Sequence, residues 1–183
     1  MPATADDEES ATKLRDANAA DFPAILALNQ AHVSVLSPLD APRLAALHAC
    51  AALHRVVERQ GRVAAFLLAF REGAGYDGAN FQWFAQRYAR FLYVDRIVVA
   101  DDAQGQGIGA LLYRDAIAAA ARGRVPYLTC EIDIEPPNRV SQRFHGRLGF
   151  RAFGRRRLDG GKTVGMQLLE IAAALMAGGA VDG

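Results

Sequence analysis

The chain has 183 residues, 51% of them hydrophobic, enough for one globular domain to bury a sizeable core and a squeeze for two. Its formal net charge is +1 with acids and bases interspersed, so no global field points to nucleic acid or an anionic membrane, and any anion site must be local. No apolar stretch reaches the roughly 18 residues of a bilayer span, and the N-terminus is acidic instead of basic and then apolar. Cys50 and Cys130 lie far apart in apolar surroundings, with no spacing for zinc or a redox pair. The expectation is a cytoplasmic protein with reduced thiols, no metal, no nucleic acid and no membrane partner.

Residues 1–12 carry Asp6, Asp7, Glu8 and Glu9 with almost no large apolar side chain, so they are expected to be a flexible acidic terminus. The folded domain is expected over 13–171, followed by a flexible tail over 172–183. Leu14 to Ala17 suits a short strand. Asp21 offers an N-cap and Pro23 a first turn, with Ile25, Leu28 and Val35 as the buried stripe of a helix. Asp40 and Pro42 repeat that start signal before a second helix built on Leu44 and Leu47. Leu53 to Glu58 and Arg62 to Phe70 read as strands joined by a hairpin turn at Gln60-Gly61. Glu72 to Arg90 reads as a long irregular stretch rich in aromatic residues, and loops of that length are usually functional or mobile. Its Trp83, Phe84 and Tyr88 either wall a pocket, cap the core or meet a second subunit.

Phe91 to Val99 returns to strand, Ile108 to Arg122 is an alanine-rich helix closed by Gly123, and Tyr127 to Ile134 is another strand. After Pro136-Pro137, Asn138 to Leu148 reads as a helix with Val140, Phe144 and Leu148 on its buried stripe. Strands around Phe150 to Arg155 and Thr163 to Glu170 close the chain. The order is an α/β (α+β) mixture without regular βαβ repetition.

The strand-to-helix turn from Gln104 through Gly105, Gln106, Gly107, Ile108, Gly109 and Ala110 places glycines where a helix begins. Glycine lets backbone approach a ligand, and a first helical turn offers unpaired N–H groups with partial positive charge. Together these suit a diphosphate, although glycines alone are equally compatible with a simple tight turn. Gly105-x-Gly107-x-x-Ala110 formally matches a dinucleotide fingerprint, with Asp133 at a suitable distance. The preceding antiparallel series and the little chain that remains afterwards argue against that domain. Gly161-Lys162-Thr163 mimics the end of a P-loop, but Arg156 stands where the first glycine is required, so it reads as a hairpin turn.

Arg96-Ile97-Val98-Val99, the Gln104-x-x-Gly107-x-Gly109 signature, and Asn138-x-x-Ser141-x-x-Phe144-His145-x-x-Leu148-Gly149-Phe150 about 30 residues later together resemble the GNAT acyltransferase superfamily. The resemblance spans roughly Leu14 to Glu170. It implies a GNAT-like mixed, mostly antiparallel central sheet of about seven strands, splayed between the fourth and fifth and flanked by about four helices. It also implies acetyl-CoA as co-substrate and direct transfer of an acetyl group to the primary amine of a small molecule or peptide, in a protein that forms homodimers in many look-alikes. A CoA-binding sensor without turnover is the alternative. Backbone groups of Ile97, Val98 and Val99 would pair with the pantetheine arm, Gln104 to Ala110 would hold the pyrophosphate, and Asn138 and Ser141 would face the coenzyme. His145 stands where the superfamily commonly has a tyrosine that protonates the departing thiolate, so it is either the general acid or a positioning residue. Glu131 and Asp95 are the candidate bases, because an acid on an inner strand is unlikely without a purpose.

Overall fold

The computed structural model describes residues 12–178. Seven strands, β1 (Lys13–Asp16), β2 (Leu53–Arg59), β3 (Arg62–Arg71), β4 (Leu92–Val99), β5 (Tyr127–Glu135), β6 (Arg151–Arg157) and β7 (Thr163–Glu170), form one sheet in the order β1-β2-β3-β4-β5-β7-β6. The β1/β2, β2/β3, β5/β7 and β6/β7 ladders are antiparallel, and β4/β5 is parallel. The expected mixed, mostly antiparallel seven-stranded sheet is therefore present. Its helices are α1 (Phe22–Ala31), α2 (Ala41–Cys50), α3 (Ala79–Ala85), α4 (Ile108–Arg122), α5 (Arg139–Arg147) and α6 (Ile171–Gly178). By contacts the chain divides into two compact units, one running to Ala69 with Arg96–Tyr113 added, the other comprising Phe70–Asp95 and the chain from Arg114.

In the first unit, Gln60 (φ 50°) and Gly61 (φ 70°) make the left-handed turn that joins β2 to β3, as their sequence predicts. Leu44 and Leu47 are buried as expected, and Asp40 caps α2 by accepting a bond from the Arg43 amide at 2.8 Å. At α1 the prediction fails in detail. Asp21 stands at the N-cap position as expected, but its side chain makes no cap bond: it is turned toward the Arg15 guanidinium at 2.8 Å and accepts from the Asn18 amide, while Asn18 caps the 3₁₀ turn over Ala19–Asp21 that precedes α1. Val35 lies beyond the helix and is exposed, while the polar Asn29 is buried in its place. The core gathers Ala17, Ile25, Leu44, Val56, Phe66 and Val98, with Phe22, Leu26 and Leu36 packed against it. Full burial of one such large side chain is worth about 1.5–3 kcal/mol.

The second unit holds the larger surprises. The stretch expected to be irregular contains α3, whose Phe81 and Phe84 are buried. Rings of Phe70 and Tyr76 stack at 4.3 Å, and Phe81, Phe84, Phe91 and Tyr93 continue the cluster. Trp83 lies so close over Gly154 that an added Cβ there would sit 2.8 Å from the indole. These aromatic residues therefore cap the core. The tail expected to be flexible from 172 forms α6 as far as Gly178, and the acidic terminus up to residue 11 lies outside the described residues. With α3 and α6 the count is six helices among the described residues, against about four expected. On α5, Val140 is 69% exposed and His145 is buried, so the inward stripe is rotated from the one predicted.

Candidate functional site

The glycine-rich turn lies wholly within the first unit. After β4 a short 3₁₀ turn over Asp101–Ala103 precedes Gln104, whose side-chain amide donates to the Val99 carbonyl at 3.2 Å and to Asp101 at 3.0 Å. Gly105 (φ 74°) and Gly107 (φ 78°) take left-handed conformations that L side chains rarely adopt, and a Cβ added at either would meet nothing within 4 Å. The backbone is thus shaped by glycine around open space. The first helical bond of α4 runs from the Leu111 amide to the Gly107 carbonyl at 2.9 Å, which leaves the amides of Ile108, Gly109 and Ala110 without an intrahelical partner. A 15-residue helix behind them adds the positive end of its dipole. This donor set fits a diphosphate.

Two arginines that the sequence reading did not single out bring charge to the same turn. The Arg59 guanidinium donates to the Gln106 side-chain oxygen, Gln106 donates to the Asp102 carbonyl at 3.0 Å, and Arg62 pairs with the Asp102 carboxylate. They line a recess of about 230 Å³ that Gln60, Ala64 and Ala103 complete. The Arg59 Nε is buried without a hydrogen-bond partner. In chain order the two arginines bracket the Gln60-Gly61 hairpin turn, which is the one sequence signal that could have drawn attention to them.

Upstream of the turn, β4 alternates buried Arg96 and Val98 with half-buried Ile97 and Val99. The Arg96 guanidinium donates to the Asn29 side chain and the Ser37 carbonyl at 2.8 Å each, so this cation fastens the end of α1 and the loop behind it. The β4/β5 ladder consists of Leu92↔Leu128 and Tyr93↔Thr129. It does not include Ile97, Val98 or Val99.

In the second unit, Asp95 and Glu131 each stand two residues beyond the Tyr93↔Thr129 pair, so parallel pleating directs both to one face. Both carboxylates accept from tyrosines. The Tyr93 hydroxyl donates to Glu131 at 2.7 Å and the Tyr76 hydroxyl donates to Asp95. Asn80 also bonds Glu131, and its oxygen accepts from Arg156 at 2.7 Å. Burial and then the charge of Asp95 push the Glu131 carboxyl up to about 7, against the opposing bonds from Tyr93 and Asn80. Tyr93 is itself buried beside these acids, which raises its hydroxyl well above the ordinary range. Sequence reasoning found the two carboxylates and missed Tyr76, Asn80 and Tyr93. Only Tyr93 had a signal, its i−2 spacing from Asp95 on one strand face.

On α5, Asn138, Ser141 and His145 share a side of the helix, as their spacing predicts. Asn138 accepts from the Ser141 amide at 3.0 Å and so caps the helix. His145 Nδ1–H donates to the Ser141 carbonyl at 2.8 Å, with the Ser141 hydroxyl at 3.2 Å. The imidazole is 5% exposed, lies edge-on to Phe144 and Phe150, and has its pKa lowered by burial, partly offset by the bond to Ser141. Elsewhere in the second unit, Arg87 lies 4.0 Å over the Trp83 ring and Arg90 donates to the Gly123 carbonyl at 2.8 Å. Cys130 is buried on β5. No group of three metal-ligating side chains occurs among the described residues, and none of their helices is long and apolar enough to cross a membrane.

Comparison with known proteins follows the same lines. The fold matches the ribosomal-protein-S18-alanine N-acetyltransferase of Escherichia coli with a TM-score of 0.67 at 19% identity, over 88% of this chain and 94% of that one. It matches Arabidopsis thaliana NAA60 in complex with acetyl-CoA with a TM-score of 0.70 at 11% identity, over 87% and 99%. Arabidopsis thaliana Naa50 bound to the bisubstrate analogue CoA-Ac-MVNAL gives 0.66 at 12% identity, over 87% and 98%. No curated protein matches by sequence. The sequence model of the acetyltransferase (GNAT) family matches residues 14–150, and the chain belongs to that family.

Proposed function

We propose that this protein is an acetyl-CoA-dependent N-acetyltransferase that moves the acetyl group directly to a primary amine, without a covalent enzyme intermediate. The observation that carries this reading is Glu131, a carboxyl poised near 7 beside a second acid and held by a tyrosine. An amine arrives as an ammonium ion and must lose a proton before it can attack, and a base with a pKa near the working pH serves best. Acetyl-CoA, when bound, supplies an activated thioester. The open turn from Gln104 to Ala110 would hold its pyrophosphate through the amides of α4, with Arg59 and Arg62 adding positive charge. Backbone groups of Ile97, Val98 and Val99 would align the pantetheine arm, and a preorganised amide near Val98 would polarise the thioester carbonyl, a role worth about 3 kcal/mol.

Glu131 would take the amine's proton, directly or through a water molecule. Asp95 would keep that carboxyl basic enough by its charge, and Tyr93 would hold it in one orientation. His145 is read as a positioning residue, because its Nδ1–H is committed to the Ser141 carbonyl and its lowered pKa keeps it neutral. Asn138 and Ser141 would support the same helix beside the coenzyme. The proposed compartment is the cytoplasm.

The test is release of free thiol from acetyl-CoA across a panel of peptides, polyamines, amino acids and aminoglycosides. Release that depends on an added amine supports the enzyme. Tight CoA binding with no amine-dependent release would replace it with a sensor, and NAD binding stronger than CoA binding would overturn both.

A further inference from the structure

The near-neutral net charge conceals one strongly cationic segment. Between Pro136 and Leu158 the chain carries seven arginines and no aspartate or glutamate. On α5, Arg139, Arg143 and Arg147 recur every four residues, so they share one stripe with about 6 Å of rise between neighbours. All three are exposed, and no hydrogen bond or ion pair holds them among the described residues. On β6, the outer strand of the sheet, Arg155 and Arg157 pair with Gly165 and Thr163 and therefore lie on one face. They too are exposed and without a partner among the described residues. The α5-to-β6 turn rests on that same face, since a Cβ at Gly149 would sit 3.3 Å from Leu169, whose side chain shares the side of Gly165.

Structural economy does not account for this pattern. Cations on an edge strand do discourage unwanted strand pairing, which covers β6 but not α5. The helix dipole favours Arg147 at the C-terminal end and disfavours Arg139 in the first turn. Five exposed guanidinium groups without paired acids among the described residues leave their charge available to an outside polyanion. A second feature selects which polyanion. The register slips between Ala152 and Gly154, so Phe153 is an extra residue opposite nothing on β7, and it is 55% exposed on the strand that carries Arg155 and Arg157. An acidic peptide would use the guanidinium groups and leave this ring idle. A single-stranded nucleic acid uses both, with phosphates on the arginines and an unstacked base on the ring.

We propose that the α5–β6 surface binds single-stranded nucleic acid, independently of the acetyl-transfer reading. The experiment is fluorescence anisotropy of the full chain with a labelled 20-nucleotide single-stranded RNA at several salt concentrations, with and without saturating CoA. Five phosphate contacts predict a slope of about −3.5 for log affinity against log salt. Replacing Arg155 and Arg157 by Gln should shrink that slope by about 1.4, two contacts' worth. Phe153→Ala should weaken binding about tenfold while the slope stays, because a stacked base carries no counterion. Melting temperatures and CoA affinity measured on each variant show that it is folded. Binding that CoA displaces would assign the arginines to the coenzyme instead. Absence of salt-dependent binding, indifference to the arginine and phenylalanine variants, or equal displacement by poly-glutamate of matched charge would each overturn the proposal.

Discussion

Glu131 is the residue on which the chemistry turns, and its neighbours pull its ionisation in opposite directions. Burial and the charge of Asp95 raise it to about 7, and the bond from Tyr93 lowers it. As a base, it must be deprotonated, so kcat/KM should rise with pH through about 7. Asp95→Asn should move that limb to lower pH, and Tyr93→Phe should move it to higher pH. Glu131→Gln should remove the limb and lower kcat/KM by about 10²–10⁴, the usual range for a lost general base. A pH–rate series on the three variants checks this, and shifts of the opposite sign would remove Glu131 from the role. For His145 the corresponding measurement is the ring's nitrogen NMR spectrum. The bond to Ser141 predicts a neutral ring protonated at Nδ1, with a titration midpoint below the ordinary 6.5. A midpoint above that value would return His145 to consideration as the acid.

The Gln104–Ala110 turn was legible in the sequence because glycine is the chemistry of the element itself: two left-handed positions, open space and a helix start all follow from residue type. Gly107→Ala adds only a methyl group into that space, so its cost should be the roughly 1–2 kcal/mol of a left-handed L residue, read by denaturant unfolding. Gly107→Glu should cost similar stability and abolish CoA binding, since a carboxylate would occupy the place of the phosphates. Retained affinity in calorimetry would refute the cradle. Helix α3 was not legible, because seven residues bracketed by glycine and by polar chain carry too little periodicity, and only tertiary burial of Phe81 and Phe84 decides it. The buried side of α5 misled for a related reason. Val140 is the more apolar residue, yet the cap at Asn138 and the bond from His145 to Ser141 set the helix so that the imidazole turns inward. Likewise the pairing of tyrosines with the two acids depends on which side chains meet across strands, which no linear spacing records.

At the scale of the whole molecule, acid stability sets the lowered imidazoles of His54 and His145 against the raised carboxyl of Glu131. His54, 6% exposed and held at 2.7 Å Nδ1 to Nδ1 by His48, is lowered to about 4 by burial first and then by the neighbouring imidazole. Between about 6.5 and 4 the unfolded chain takes up a proton that the folded chain refuses, so stability falls as pH falls across that window. Glu131 does the reverse. Between about 7 and 4.5 the folded chain holds a proton that the unfolded chain releases, so its contribution grows as pH falls. Asp21 and Glu72 have depressed carboxyls, and their contributions are lost only below the ordinary carboxylate range. Glu131 therefore offsets part of what the two histidines lose, and the wild-type melting temperature should fall only modestly from pH 7 to 4.5. Glu131→Gln removes the offset, and its melting temperature should fall with acid more steeply than that of the wild type. His54→Phe removes one of the opposing contributions and should flatten or invert the profile. Calorimetric melting of the three proteins at half-unit pH steps separates the contributions, and parallel profiles would show that neither group titrates with folding.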